Sequence, residues 1–471
     1  MLTVDHLVRR RGEFLESIGR PVLLMSGGAL PRNYPQNVFP YRADSSFLFF
    51  FGEAEPDSAA FFDPEDHTVI LFLQDRTSEA ALWHGPVPGF EEMRARHGVT
   101  RVLSVSDLKS SVQKLAHGRK VGSIAVADPK ATARAREITK EKLCFESPAD
   151  HGDLEAIDAV SRLRLKRSEE EIGEMRAAAR VTREAHTLAM AQTRPGVHER
   201  QLAGVVEGCF VRHGCVTAYN TILSVRGEIL HIIHQVHVAG EGDLLLLDAG
   251  AEVKSGYCAD VTRTWPVSGR FSAEQRAVYE IVLRANLECI GLVKPGHRYR
   301  DIHLHAARTV AEGLVSLGLL RGNVDALVET GAHALFFPHG VGHLLGLDVH
   351  DMEAFGDRIA YPGGRKRSSQ FGTAYLRLDR DLEPGNCMTI EPGIYFVPAI
   401  LHDPSFREQF RDQVDFDRAE QFLRMNQGRG FGGIRIEDDV LTTASGAEVL
   451  TARIAKTVEE VESIACSAGL S

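Results

Sequence analysis

Ionisable side chains set inside apolar runs constrain this chain more than any other feature of its sequence. LLLLDAG puts Asp248 at the end of a strand-like segment, and YCADVTRT puts Asp260 at the start of another. TIEPGIYF carries Glu391, and GGIRIEDD carries Arg435 and Glu437. An ionised carboxylate beside a buried strand is costly unless it is paired or holds a cation. Each residue taken alone reads equally well as a turn, a cap or a solvated edge. Together they call for a fold that gathers several strand ends in one place, and a hairpin would bring Asp248 and Asp260 together.

PHGVGHLLGLDVHD (338–351) adds His339, His343 and His350. His339 and His343 are spaced i, i+4, which on a helix would share a face. Gly340 and Gly342 favour instead a loop packed closely against a neighbour. The helical HExxH signature of zinc peptidases is absent. Four carboxylates with at least one histidine and no thiolate form a hard, oxygen-rich donor set. It holds more carboxylate than one tetrahedral zinc site needs, and two divalent ions sharing bridging carboxylates would neutralise it. From the residues alone the chain reads as a dinuclear metallohydrolase, in which the ions activate water and polarise the scissile group.

The 471 residues suggest about three domains as a first prior, and 44% apolar with 25% charged residues is ordinary for a globular protein. Lys plus Arg is 54 and Asp plus Glu is 64, giving a net charge of −10. That surplus argues against sequence-independent nucleic-acid binding. Seven scattered cysteines without a CxxC pair read as reduced thiols. No run approaches the roughly 18 apolar residues of a membrane span, and the N-terminus has no apolar signal core. The expectation is a soluble cytoplasmic protein.

Residues 1–150 alternate strand-like runs (21–27, 47–52, 59–63, 68–73, 124–128) with a helical stretch at 106–118, an α/β pattern. A long helix is expected from Ser168, whose spacing to Glu171 is that of a capping box. Further helices are expected at 199–213, 273–293 and 300–318, and strands at 243–253, 259–267, 387–396 and 432–443. Residues 397–430 are a polar, breaker-rich insertion with weak periodicity, as are 356–380. The insertions reduce the expected domain count to two.

In this order, DAGAE…CADVTRT, PHGVGHLLGLDVHD, TIEPGIYF and GGIRIEDD resemble the pita-bread metallopeptidases, among them Xaa-Pro dipeptidase (prolidase), aminopeptidase P, methionine aminopeptidase and creatinase. FPYRADSSFLFFFG and AALWHG resemble the N-terminal domain of aminopeptidase P and the longer prolidases. The resemblance implies an α/β N-terminal domain of the creatinase/prolidase type (1–160), then an α+β pita-bread catalytic domain (161–471). It implies two divalent ions, with manganese expected and Co, Zn or Fe as alternatives. Asp248, Asp260, His343, Glu391 and Glu437 are the implied ligands, Asp260 and Glu437 bridging. Creatinase shares the fold without the metals, so a filled ligand set favours a peptidase.

The resemblance further implies that Glu391 shuttles a proton, that His350 bonds the tetrahedral intermediate, that His231 and His339 line the substrate site, and that Arg435 orients the bridging carboxylates. His231 is placed by its distance from Asp248, with His234 and His237 as competitors. Two departures stand out. The interval from Asp248 to Asp260 is one residue longer than in relatives, and Ser46 stands where aminopeptidase P has an aspartate after its YRxxS segment.

AYLRLDRDLEPG (374–385) resembles the prolidase segment whose first arginine, here Arg377, binds the dipeptide carboxylate. Arginine suits that role through bidentate bonds. The expected activity is hydrolysis of Xaa-Pro dipeptides. Aminopeptidase P action on longer peptides is the runner-up, and a metal-free binding module is the remote alternative. Relatives imply a homodimer or homotetramer in which the N-terminal domain closes a neighbour's site, with Trp83 as a candidate substrate-side contact there.

Overall fold

The computed structural model describes residues 2–147 and 151–466. They form two compact units: residues up to Glu171 with Met352–Ile359, and Ile172–Asp351 with the residues from Ala360 onward. The first unit is built on a five-stranded sheet of β1 (Val22–Met25), β2 (Ala59–Asp63), β3 (Thr68–Leu73), β4 (Arg101–Ser104) and β5 (Gly122–Ser123). The spatial order is β4-β3-β2-β1-β5. Pairing is antiparallel across β1–β2 and β2–β3 and parallel across β3–β4 and β1–β5. The central strands are near-continuous apolar runs because both faces are covered. Leu23, Met25, Phe61 and Phe72 pack with Leu108, Val112 and Ala131. Phe62 instead meets the rings of Phe14 and Phe50, at 5.1 and 5.2 Å.

Two expectations fail here. FLFFF belongs not to a strand but to a fully buried helix, Ser45–Phe51. Asp44 Oδ1 caps its start by accepting from the Ser46 and Phe47 amides, and Gly52 ends it in the left-handed region at φ 71°. Arg10 and Arg11 donate to the Phe49 and Phe50 carbonyls, so basic residues near the chain start serve a helix C-terminus. In the other case, IAVAD lies past the strand, which ends at Ser123. Thr132 Oγ1 takes both backbone groups of Val126, and Asp128 caps the helix Pro129–Thr139.

The expected long helix spans Glu169–Gln192, started by the Ser168–Glu171 capping box. The second unit adds the helices Glu199–Arg212, Ala273–Leu292 and Tyr299–Ser316. Its strands are β6 (Val216–Thr217), β7 (Ile222–Ser224), β8 (Leu244–Asp248), β9 (Ala251–Glu252), β10 (Thr262–Pro266), β11 (Cys387–Ile390), β12 (Gly393–Tyr395), β13 (Gly433–Arg435), β14 (Asp438–Thr442) and β15 (Ala447–Val449). They pair antiparallel as β10-β8-β7, β11-β14-β15, β12-β13 and β6-β9.

Each of the last two expected strands is broken once, and the breaks face each other. Ile390 pairs with Asp438 on one side, and Gly393 with Arg435 on the other. Between them lie Glu391-Pro392 and Ile436-Glu437, so each glutamate occupies an interruption of the ladder. The 397–430 insertion is helical: Pro398–Leu401, Pro404–Gln409 and Phe416–Leu423. Helices this short leave little 3.6-residue periodicity to read. Asp403 and Asp415 cap two of them, and Phe422 stacks on Phe396 at 4.3 Å.

Candidate active site

The strand ends of the second unit open on a cavity of about 690 Å³. Its wall holds Asp248, Asp260, His343, Glu391 and Glu437 together, with His231, His339, His350, Arg377 and Arg435 on the same lining. Ten of the eleven residues singled out in the sequence thus meet in one place. Trp83 is not on this lining; it lies on the first-unit helix Ser78–His84, 73% exposed. Neither His234 nor His237 lines the cavity; the His237 ring lies 3.2 Å from both oxygens of buried Glu199.

Register explains the convergence. Asp248 ends β8 opposite Thr262 of β10, and Asp260 lies two residues before β10. The hydroxyl of Tyr219 is 2.5 Å from an oxygen of each. Between the two the chain turns at a tip where Val253 N–H donates to Tyr257 O and Gly256 adopts φ 87°. His343 enters on the Gly-punctuated loop expected from the sequence. Gly342 has φ 154°, and a Cβ there would lie 2.3 Å from Thr389 O, so only glycine lets this loop lie on β11.

His343 Nδ1–H donates to Leu344 O at 3.0 Å, which leaves Nε2 facing Asp260 Oδ2 at 3.3 Å and Glu391 Oε1 at 3.6 Å. Ligand atoms of Asp260, His343 and Glu437 all lie within 4.8 Å of one another. Arg435 ties this group together. Its guanidinium donates to Asp248 Oδ2 at 2.6 Å, to Thr262 Oγ1 at 2.9 Å and to the Tyr395 hydroxyl at 3.0 Å. Thr262 in turn donates to Glu437 Oε2 at 2.7 Å, and Tyr395 to His339 Nε2 at 2.9 Å. With Nδ1 of His339 bonded to Gly340 O, both its ring nitrogens are engaged. His350 stacks on His343 with ring centroids 4.0 Å apart.

The electrostatics are unbalanced. Burial, reinforced by Asp260, Glu391 and Asp248, holds the Glu437 carboxyl well above the usual range. Burial lifts Glu391 to about 7 against the pull of His343 and Arg435, and Asp248 to about 6 despite Arg435. Asp260 goes the other way: burial opposes it, but its bond to and the charge of His343 hold it below the ordinary value. The same contact lifts His343 to about 8 although burial works against it. His339, buried and facing Arg435, falls to about 3.

Four carboxylates share the Arg435 guanidinium and the imidazoles of His343 and His350, and burial still raises three of them, so the site is short of positive charge. Oxygen-rich donors short of positive charge fit hard or borderline divalent cations.

The next residue is handled differently. Asp438 is fully buried, yet it accepts from Arg263 at 2.8 Å and Lys456 at 2.7 Å. These cations overcome burial and hold its carboxyl at about 2.

The sequence reading missed Tyr219, Tyr395 and Thr262. Tyr395 and Thr262 lie inside the acid-bearing motifs, four and two residues after Glu391 and Asp260. Tyr219, in VTAYN, carries no comparable mark.

Residues 173–444 match metallopeptidase family M24, and residues 7–124 match the aminopeptidase P N-terminal domain. The chain is 35% identical to the Xaa-Pro aminopeptidase of Escherichia coli, covering 98% of this chain and 97% of that one. It is 32% identical to the human Xaa-Pro dipeptidase, covering 96% and 89%. Among solved structures, E. coli aminopeptidase P with the inhibitor Pro-Leu superposes with a TM-score of 0.81 at 31% identity over 100% of both chains. A zinc-substituted form of that enzyme with product gives 0.80 at 30%, over 99% of both.

Proposed function

This chain belongs to metallopeptidase family M24, an aminopeptidase P-type N-terminal domain followed by a pita-bread catalytic domain, and from that premise we propose that it hydrolyses Xaa-Pro bonds as a dipeptidase. One observation carries the reading: Arg377 shares a cavity wall with the four carboxylates and His343. Asp248, Asp260, His343, Glu391 and Glu437 would hold two divalent ions, with manganese the expected metal. When bound, such ions lower the pKa of a water and polarise the scissile carbonyl.

The remaining work falls to side chains. Glu391, held at the interruption between β11 and β12 and on the cavity wall, is placed to take a proton from the attacking water and pass it to the proline nitrogen. Arg435 fixes Asp248 directly and Glu437 through Thr262, so ligand geometry is set before substrate arrives. His339, neutral and bonded through both nitrogens, acts as a fixed wall. His350 is placed to donate to the developing oxyanion, and His231 closes the substrate side. Arg377 binds the C-terminal carboxylate of the dipeptide.

A second reading, aminopeptidase P, is favoured by the higher identity to the E. coli enzyme. Against it stands Ser46, where that family carries an aspartate. Exposed Leu82 and Trp83 offer apolar surface to a second copy of the chain. Among the described residues no helix is long and apolar enough to cross a membrane. A panel of Ala-Pro and Met-Pro against matched tripeptides, run with each metal, tests the reading. Fast dipeptide cleavage supports it, and efficient release of the first residue of Arg-Pro-Pro overturns it in favour of aminopeptidase P.

A further inference from the structure

Outside the cavity, one group of side chains combines three kinds of metal donor. Glu184 projects from the helix Glu169–Gln192, Cys209 from the helix Glu199–Arg212, and His213 caps the end of the latter. Their ligand atoms all lie within 4.8 Å of one another. His213 Nε2 is 3.0 Å from Glu184 Oε2. The Cys209 thiol is in hydrogen-bonding reach of the same carboxylate, which adds to burial in raising its pKa. The spacing Cys209-x3-His213 puts thiol and imidazole on one side of a helix end, and the facing helix supplies the carboxylate.

Burial is graded as a semi-enclosed site requires. Cys209 is fully buried, while the His213 and Glu184 side chains are 39% and 43% exposed, leaving a way in for an ion. The thiol of Cys215, two residues on, also lies near, 3.8 Å from His213 O.

We propose that Glu184, Cys209 and His213 form a second metal site, separate from the catalytic one, that takes a borderline-soft divalent cation such as zinc. Thiolate, imidazole and carboxylate together favour zinc or cobalt over manganese or magnesium. Charge balances: one carboxylate and one thiolate neutralise one divalent ion, and the thiol proton leaves to solvent on binding. Water completes four-coordination. The ion would tie the end of one helix to the middle of the other.

Cobalt makes the test independent of the catalytic reading, because the proposed catalytic ligands include no sulfur. Full-length metal-free protein titrated with Co²⁺ should develop near-ultraviolet thiolate-to-cobalt charge-transfer absorption. Cys209→Ser should abolish the band, and His213→Ala should weaken cobalt binding about tenfold or more, both with kcat/KM on the dipeptide unchanged. Absence of the band at saturating cobalt, or its persistence in Cys209→Ser, overturns the proposal. If the serine variant does not fold, the rim variant decides: an unaltered cobalt titration in His213→Ala overturns the proposal, and a weakened one upholds it.

Discussion

Glu437 and Asp438 are neighbours in sequence, both buried, and treated in opposite ways. Asp438 is given two cations inside the protein and stays ionised far below the ordinary range. Glu437 is placed among other carboxylates, with a threonine hydroxyl bonded to it and Arg435 shared with Asp248. A buried charge is tolerated when its partner is built in. Where the partner is withheld, the folded state holds a deficit that an ion from solution can fill. The first arrangement serves the fold, and the second is available for chemistry.

The largest expected effect breaks the second arrangement. Glu437→Gln should lower kcat by about a thousandfold or more and weaken metal binding, while the chelated protein keeps or gains stability because a carboxylate crowded by its neighbours is gone. Metal titration and chemical denaturation of the chelated protein check both halves. Asp438→Asn should do the reverse, costing about 3–5 kcal/mol of stability by leaving Arg263 and Lys456 buried without their partner, as read from urea unfolding. If the two variants have the same stability cost, the contrast fails.

Arg377 extends the comparison to a cation whose proposed carboxylate partner is the substrate. Arg377→Ala should raise KM for Ala-Pro by about 10- to 100-fold with kcat little changed, and leave a tripeptide's KM unaffected.

The smallest effect concerns pH. His343 near 8, Glu391 near 7 and Asp248 near 6 all lie above their unfolded values. The protons they hold stabilise the metal-free fold below roughly pH 4 for the carboxylates and 6.5 for the histidine, and that contribution is lost as pH rises through 6 to 8. Bound ions replace those protons. The Tm difference between metal-loaded and chelated protein should therefore widen from about pH 5 to about pH 8. Asp260, held low, contributes in the opposite sense, with its loss on acidification below its ordinary value and so outside this window. A constant difference would mean that the ions do not bind at these groups.

Much of the site could be read from the sequence because its residues violate their surroundings. An acid in an apolar strand stands out, and Asp248, Asp260, Glu391 and Glu437 each did. Arg435 was marked by its place beside Glu437. What could not be read was how these groups are joined. Thr262 and Tyr395 look like ordinary strand residues until the register shows them bridging Arg435 to Glu437 and to His339.

In the fold, strands with both faces covered were legible as apolar runs. The same signal misled at FLFFF, since composition does not separate a buried strand from a buried helix of the same length. Asp44 and Gly52, a cap at each end, are what distinguish the helix there. The 397–430 insertion was illegible because its helices end before a period can repeat.

The Asp248–Asp260 hairpin has a consequence for how such chains are found. Its tip near Gly256 lies outside the ladder in which Asp248 faces Thr262. The tip can thus lengthen or shorten without moving either acid, provided the pairing of β8 with β10 is kept. A search pattern that demands one fixed interval would pass over any chain whose turn had grown or shrunk, whereas one anchored on the ends of β8 and β10 would retrieve it.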